Sequence, residues 1–239
     1  MGDSSHVSVH VLTTPLRRPW RAATFPIRIA RVLREDDTVP FFLCGRSSAG
    51  RGVRNISRSL SATRIVVLVQ WTSAEAANAG RAALDDRSRR GGATAWSACL
   101  RPLHSRGTWD DQKPFRATEG HPRADGLIAS LTCARVRPQH MIDFYLKSFP
   151  ALARQASRRE SPMIAGLGFG GSMPLRDAFT ISVWPSAHAV DEYAFHGSPH
   201  DAVRRKATEQ KWLSQSLFAR FVVTDHGGTW AGVDPLDAM

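Results

Sequence analysis

Apolar positions in this chain fall in short runs of strand length. The longest, Ile65 to Val69, lies within Arg64-Ile-Val-Val-Leu-Val-Gln-Trp71. A membrane-crossing helix needs about 18 to 20 uninterrupted apolar residues, so no transmembrane segment is expected. Alternating or β-branched stretches predict strands over His6 to Leu12, Phe41 to Cys44, Arg64 to Trp71 and Ala95 to Leu103. The same pattern predicts strands over Gly126 to Val136, Met163 to Phe169, Phe179 to Trp184 and Leu217 to Val223. Helical spacing predicts helices from about Pro19 to Leu33, from Ser73 to Leu84, and over Pro138 to Ala156, where Met141, Phe144, Tyr145, Phe149 and Leu152 recur. A further helix starts at Ser186, an N-cap residue, with Ala189, Val190 and Tyr193 along one side.

The order of these elements repeats. Arg64 to Trp71 leads into Thr72-Ser-Ala-Glu-Ala76, and Ala178 to Trp184 leads into Pro185-Ser-Ala-His-Ala189, so both copies read Trp-x-Ser-Ala-x-Ala. A second tryptophan follows in each, Trp96 and Trp212, and each copy closes on Gly-Thr-Trp, at Gly107 to Trp109 and Gly228 to Trp230. Three signals in one order point to an internal repeat. Each half reads βαββαβ, the ferredoxin-like split unit, whose open sheet face two fused copies can bury against each other. The expectation is an α+β protein: two ferredoxin-like repeats, 1–109 and 126–239, joined by a polar linker 110–125, forming a dimeric α/β-barrel type pseudo-dimer.

Composition narrows the function classes. The formal charge is +11, with 32 Lys and Arg against 21 Asp and Glu, which suits acidic partners, although a bias toward Arg codons gives the same number. The basic residues are scattered from Arg17 to Arg220 and no basic helix or aromatic-interleaved motif accompanies them, so nucleic-acid binding is not expected. The three cysteines, Cys44, Cys99 and Cys133, are odd in number and widely spaced, which suggests reduced, buried thiols and no cysteine zinc site. Met1 to Ser5 lacks the features of a secretory signal, and a cytoplasmic location is expected. No nucleophile elbow, HExxH or Walker loop occurs.

Thr180-Ile-Ser-Val-Trp-Pro185, Asp191-Glu-Tyr-Ala-Phe195, Pro199-His-Asp-Ala-Val-Arg-Arg205, Lys211-Trp212 and Leu217-Phe-Ala-Arg-Phe221 together resemble the C-terminal part of the spheroidene monooxygenase family. Gly107 to Phe115 resembles that family's mid-chain segment, while the N-terminal half matches only in layout. The resemblance implies an oxygenase that binds haem iron, takes electrons from a ferredoxin-type donor and inserts oxygen into a carotenoid. A small-molecule substrate is therefore expected, and a homodimer is compatible with such a chain. Phe41 to Val53 departs from the family, with Arg46 and Arg51 among apolar and glycine neighbours. An unpaired buried charge costs several kcal/mol, which favours a small or medium substrate over a carotenoid.

Haem iron in an oxygenase needs an axial ligand, and histidine is a frequent one. Of nine histidines, His200 is the expected metal and haem ligand because it lies in the family-like run, on a helix start that Ser198 caps, Pro199 opens and Asp201 steadies. His196 and His188 are the next candidates; a plain helix start with an exposed His200 is the bland alternative. Arg204, four residues on, shares the face of His200 and is placed to pair with a haem propionate. Arg220 points opposite to Ala219 and Phe221 and either enters the cavity or faces water; with Trp212 it is the catalytic candidate. Trp184 is a candidate pocket wall, as against a core residue. Gly168 belongs to Gly166-Leu-Gly-Phe-Gly-Gly171, which has dinucleotide-loop spacing but no following helix, and fits better as a strand thinned to admit a flat ligand. The rival functions are a cofactor-independent barrel oxygenase and a non-catalytic ligand-binding barrel.

Overall fold

The computed structural model describes residues 6–14, 19–48, 60–90, 92–116, 126–148, 166–168, 176–195, 199–230, 232, 234 and 236. The first half runs β1 (His6–Thr13), α1 (Pro19–Arg34), β2 (Phe41–Ser48), β3 (Leu60–Trp71), α2 (Ala74–Arg90) and β4 (Thr94–Gly107). The second runs β5 (Ile128–Val136), β6 (Gly166–Gly168), β7 (Asp177–Trp184), α3 (Ala187–Phe195), α4 (Pro199–Glu209) and β8 (Leu213–Gly228). Between β5 and β6, a 3-10 turn at Pro138–His140 leads into a π-helical stretch, Asp143–Ser148. The remainder of the helix expected to Ala156 lies outside the described residues. Among the described residues no helix is long and apolar enough to cross a membrane.

All eight strands join one antiparallel sheet in the order β2-β3-β1-β4-β8-β5-β7-β6. The edge strands β2 and β6 touch, so the sheet curls on itself. Read outward from its centre, both sides have the same order, and the central pair has a matching register: Trp96 faces Gly228 and Leu217 faces Gly107. Gly107 and Gly228 both adopt positive φ, 91° and 89°, and the next residue in each case donates its N–H across the sheet, Thr108 to Ser216 and Thr229 to Ala95. The Trp-x-Ser motif has the same local job in both halves. Trp71 and Trp184 end their strands, and Ser73 and Ser186 accept N–H bonds from Ala76 and Ala189 as helix caps.

Trp96 and Trp212, in contrast, do not correspond. The register sets Trp96 against the position of Leu217, inside a strand, whereas Trp212 precedes β8. The stretch expected as a polar linker also enters the core in its described part: Phe115 is buried edge-on between Phe41 and Phe221.

Side-chain alternation gives the sheet two buried faces. The inner face gathers Val9, Leu68, Leu131, Ile181, Phe221 and Trp230 from both halves. The outer face of the first half carries an apolar layer, Leu12, Ile65, Val67 and Val69 packed under Phe25, Ile29 and Leu33 of α1 and Ala77 and Leu84 of α2, beside a buried polar strip of Ser8, His10 and Ser97. Each fully buried apolar side chain of this kind contributes about 1.5–3 kcal/mol. The cysteines are free, but only Cys133 is fully buried; Cys44 and Cys99 sit on the outer face, partly buried, under α1 and beside Arg81 of α2. Burial pushes the Cys44 thiol up to about 12.

Candidate functional site

The outer face of the second half has a different chemistry. Ser130 and Thr132 of β5, Thr180 and Ser182 of β7 and Arg220 of β8 all alternate with inward residues and so face outward. Ser182, Ser130 and Arg220 stand side by side across three strands. Their counterparts by register in the first half are Val69, Ser8 and Cys99. Among the described residues the apolar cluster beneath α1 and α2 has no equivalent here.

Over this short-chained polar floor the helices bring an aromatic row. Trp184 is buried and donates its indole N–H to Ser182 Oγ at 2.8 Å. Tyr193 of α3 lies 4.8 Å from Trp184 and 4.9 Å from the ring of His200, which opens α4. Burial is the main cause holding His200 below its ordinary value, aided by the nearby positive charge of Arg204; a hydrogen bond with the Ala194 backbone and the charge of Asp201 oppose it. The ring is therefore neutral at physiological pH, the form with a lone pair to give.

Arg220 faces outward, into the layer between the sheet and α3. It lies beneath α3, with its Nη2 bonded to Asp191 Oδ1 at 2.5 Å, and its buried Nε–H has no acceptor among the described residues. Asp191 and Tyr193 were not singled out as site residues from sequence, although both belong to the family-like Asp191 to Phe195 run and lie two residues apart.

The other candidates are dispersed. Arg204 is exposed and turned back on its own helix, 2.7 Å from Asp201 and over the Phe195 ring. Trp212 is fully buried where α4 meets β8, donating to Gln210 Oε1 at 2.8 Å and stacked on His140 at 6.0 Å, away from the His200 row. Gly168 is on edge strand β6 opposite Phe179. His188 is exposed, and His196 and Ser198 lie outside the described residues. Asp201, expected to complete the cap, binds Arg204 and Arg205. Arg46 alternates with Phe41, Leu43 and Gly45 and so turns to the α1 side, with its Nη1 on Ser61 O at 3.4 Å, rather than lining the interior. Arg51 lies outside the described residues.

A curled antiparallel sheet with helices on its outside defines the chain as an α+β protein. An aldoxime dehydratase solved with butyraldoxime shares this fold at a TM-score of 0.59, with 11% identity, 99% of this chain covered and 87% of that one. A second aldoxime dehydratase superposes at 0.57, with 10% identity over 94% and 83% of the two chains.

By sequence the chain is a relative of the spheroidene monooxygenases. It is 34% identical to that of Rubrivivax gelatinosus over 174 residues, 72% of this chain and 65% of the relative. It is 31% identical to that of Rhodobacter capsulatus over 138 residues, 57% of this chain and 56% of the relative. The chain thus spans less than two thirds of the length of either. No protein-family model matches it.

Proposed function

We propose that the protein is a haem-dependent, monooxygenase-like oxidoreductase that inserts oxygen into an organic substrate, with His200 as the residue that would hold the haem iron. The observation that carries this reading is the polar, short-chained floor of the second half beneath Trp184, Tyr193 and His200, where the first half packs an apolar cluster under its helices and has no cation in the place of Arg220. The names of the relatives supply the reaction class.

The residues fit the group. Burial holds His200 toward its neutral form, and the Ala194 backbone is an outer partner of the kind that ligating histidines have. The buried Nε–H of Arg220 suits a carboxylate of the bound group, with Asp191 keeping the guanidinium in place. Tyr193 and Trp184 supply flat apolar contact. When bound, haem would supply the activation of dioxygen. The chain's own part is to hold the ligand nitrogen deprotonated, exclude water with the aromatic row, and place a cation near the anionic edge. Arg46, one of the two charges that argued against a long apolar substrate, turns to the α1 side, in the other half from this layer.

Under this reading the halves are two ferredoxin-like units, 1–109 and 126–239, joined by 110–125, and the basic charge favours an acidic ferredoxin-type donor. The test is the absorption spectrum of protein produced with haem supply. A Soret band at near-stoichiometric haem is expected, lost in His200→Ala with unchanged far-ultraviolet circular dichroism and weakened in Arg220→Gln. If His200→Ala keeps its haem, the ligand lies elsewhere; if the wild type never takes up haem, the cofactor-free oxygenase or the binding barrel replaces this reading, and oxygen consumption distinguishes those two.

A further inference from the structure

Three large apolar side chains of the second half project into solvent: Ile142 (66% exposed), Leu146 (71%) and Phe195 (48%). Ile142 and Leu146 are four residues apart on the helical stretch after β5, and so emerge on one side. Phe195 ends α3. Helix α4 connects the two places through its basic run Arg204-Arg205-Lys206. Arg204 lies 5.4 Å over the Phe195 ring, and the charge of Lys206 reaches Asp143, which also pairs with Lys147. Asp201, almost fully buried, tethers Arg204 and Arg205 at 2.7 and 2.9 Å, yet both arginine side chains remain about half exposed. Lys147 is likewise exposed.

Isolated apolar side chains projecting beside cations that remain solvent-facing match the chemistry of a bilayer interface. Acyl chains accept apolar groups without shape complementarity, and anionic headgroups attract the flanking cations. A folded protein partner would instead need a complementary surface of some 800 Å² on each side, about the size of a standard interface.

We infer that this surface, Ile142, Leu146 and Phe195 with Lys147, Arg204, Arg205 and Lys206, docks the protein peripherally on anionic lipid. The proposal is independent of the haem reading: it places the second half against a membrane, where a lipid-soluble substrate would be concentrated, whatever group the site holds.

The test is co-sedimentation of the full chain with phosphatidylglycerol-containing vesicles and with pure phosphatidylcholine vesicles, at low and high salt. Expected is binding to the anionic vesicles that salt weakens, with little binding to the neutral ones. Ile142→Ser with Leu146→Ser should lower the partition coefficient by about tenfold or more, since each tenfold corresponds to about 1.4 kcal/mol and burying one such side chain is worth about that or more. Unchanged circular dichroism and melting temperature show that this variant is folded, and Phe195→Ser is the second probe should it fail to fold. Absence of binding to anionic vesicles overturns the proposal. So does binding that the apolar variants leave intact, which would be charge adsorption alone. Scattering-detected gel filtration supplies a third overturning result: a wild-type dimer that the double variant turns into a monomer would make the patch a contact between copies.

Discussion

The guanidinium of Arg135, on the second half's first strand, sits 4.9 Å from the centroid of the Trp109 indole, which closes the first half. Arg64 of the first half stands in the same relation, at 5.4 Å, to Trp230, which closes the second. Each half therefore ends under a cation belonging to the other. The two arrangements differ in charge, because Asp177, the counterpart of Arg64 in register, binds Arg135 through both carboxylate oxygens, at 2.6 and 2.8 Å.

Arg135→Ala should destabilise the fold by about 3–5 kcal/mol, because it strands the fully buried Asp177 carboxylate. Removing both charges should cost less than the sum of the single changes, a coupling that urea denaturation of the four proteins in a double-mutant cycle measures. Additive losses would mean that the pair does not interact.

Gly107→Ala and Gly228→Ala should each lower stability by at least about 1–3 kcal/mol. An added Cβ would lie 2.1 Å from Ser216 O in one case and 2.3 Å from Ala95 O in the other, at backbone angles that L-residues avoid. Similar shifts in thermal midpoint for the two variants are expected from their matching positions.

Gly80→Ala tests a conflict of terms. Helix propensity alone gains about 1 kcal/mol. The new Cβ would fall 2.0 Å from the Trp71 ring, which its indole bond to Ser8 Oγ at 2.8 Å holds in place. Overpacking of this kind typically costs about 1–3 kcal/mol, so a net loss is expected, read as a lower denaturation midpoint. A gain in stability would show that the indole moves freely.

His10 gives stability a pH dependence. It is fully buried, shares a hydrogen bond with Ser8 Oγ, and is held down to about 3 from 6.5, first by burial and then by the charge of Arg81. Between those values the unfolded chain binds a proton that the folded chain refuses, so stability is full above about pH 6.5 and falls as the pH drops toward 3. The loss over that window is about 3–5 kcal/mol. Denaturant midpoints at pH 7, 5 and 4 should decline in the wild type and decline less in His10→Gln.

How much of this was legible in sequence depended on whether a signal carried register. Trp-x-Ser-Ala and Gly-Thr-Trp did, because a strand end, a helix cap and a positive-φ glycine each fix a residue to one place. The match of Trp96 with Trp212 rested on order alone, and one indole proved to lie within a strand while the other stands before one. Alternation correctly set Arg220 opposite Ala219 and Phe221, but both faces of this sheet are covered, so period two could not say which face was inner. Arg46 was misplaced as an interior lining for the same reason. Tyr193 and Asp191 required knowledge of which strand passes beneath α3, and no local pattern contains that.

The crossed tryptophans also bear on how the chain is made. Trp96 and Arg64 leave the ribosome early, but the indole that covers them, Trp230, and the carboxylate that accepts the Trp96 N–H, Asp234, are synthesised long afterwards. Until then the nascent first half exposes the inward face of β1, β3 and β4, an apolar surface open to aggregation. Closure waits on contacts distant in sequence, which are slow to form. Heterologous production should therefore respond more to a slower translation rate or added chaperone than to any single surface change, and separately expressed halves should remain insoluble until supplied with each other.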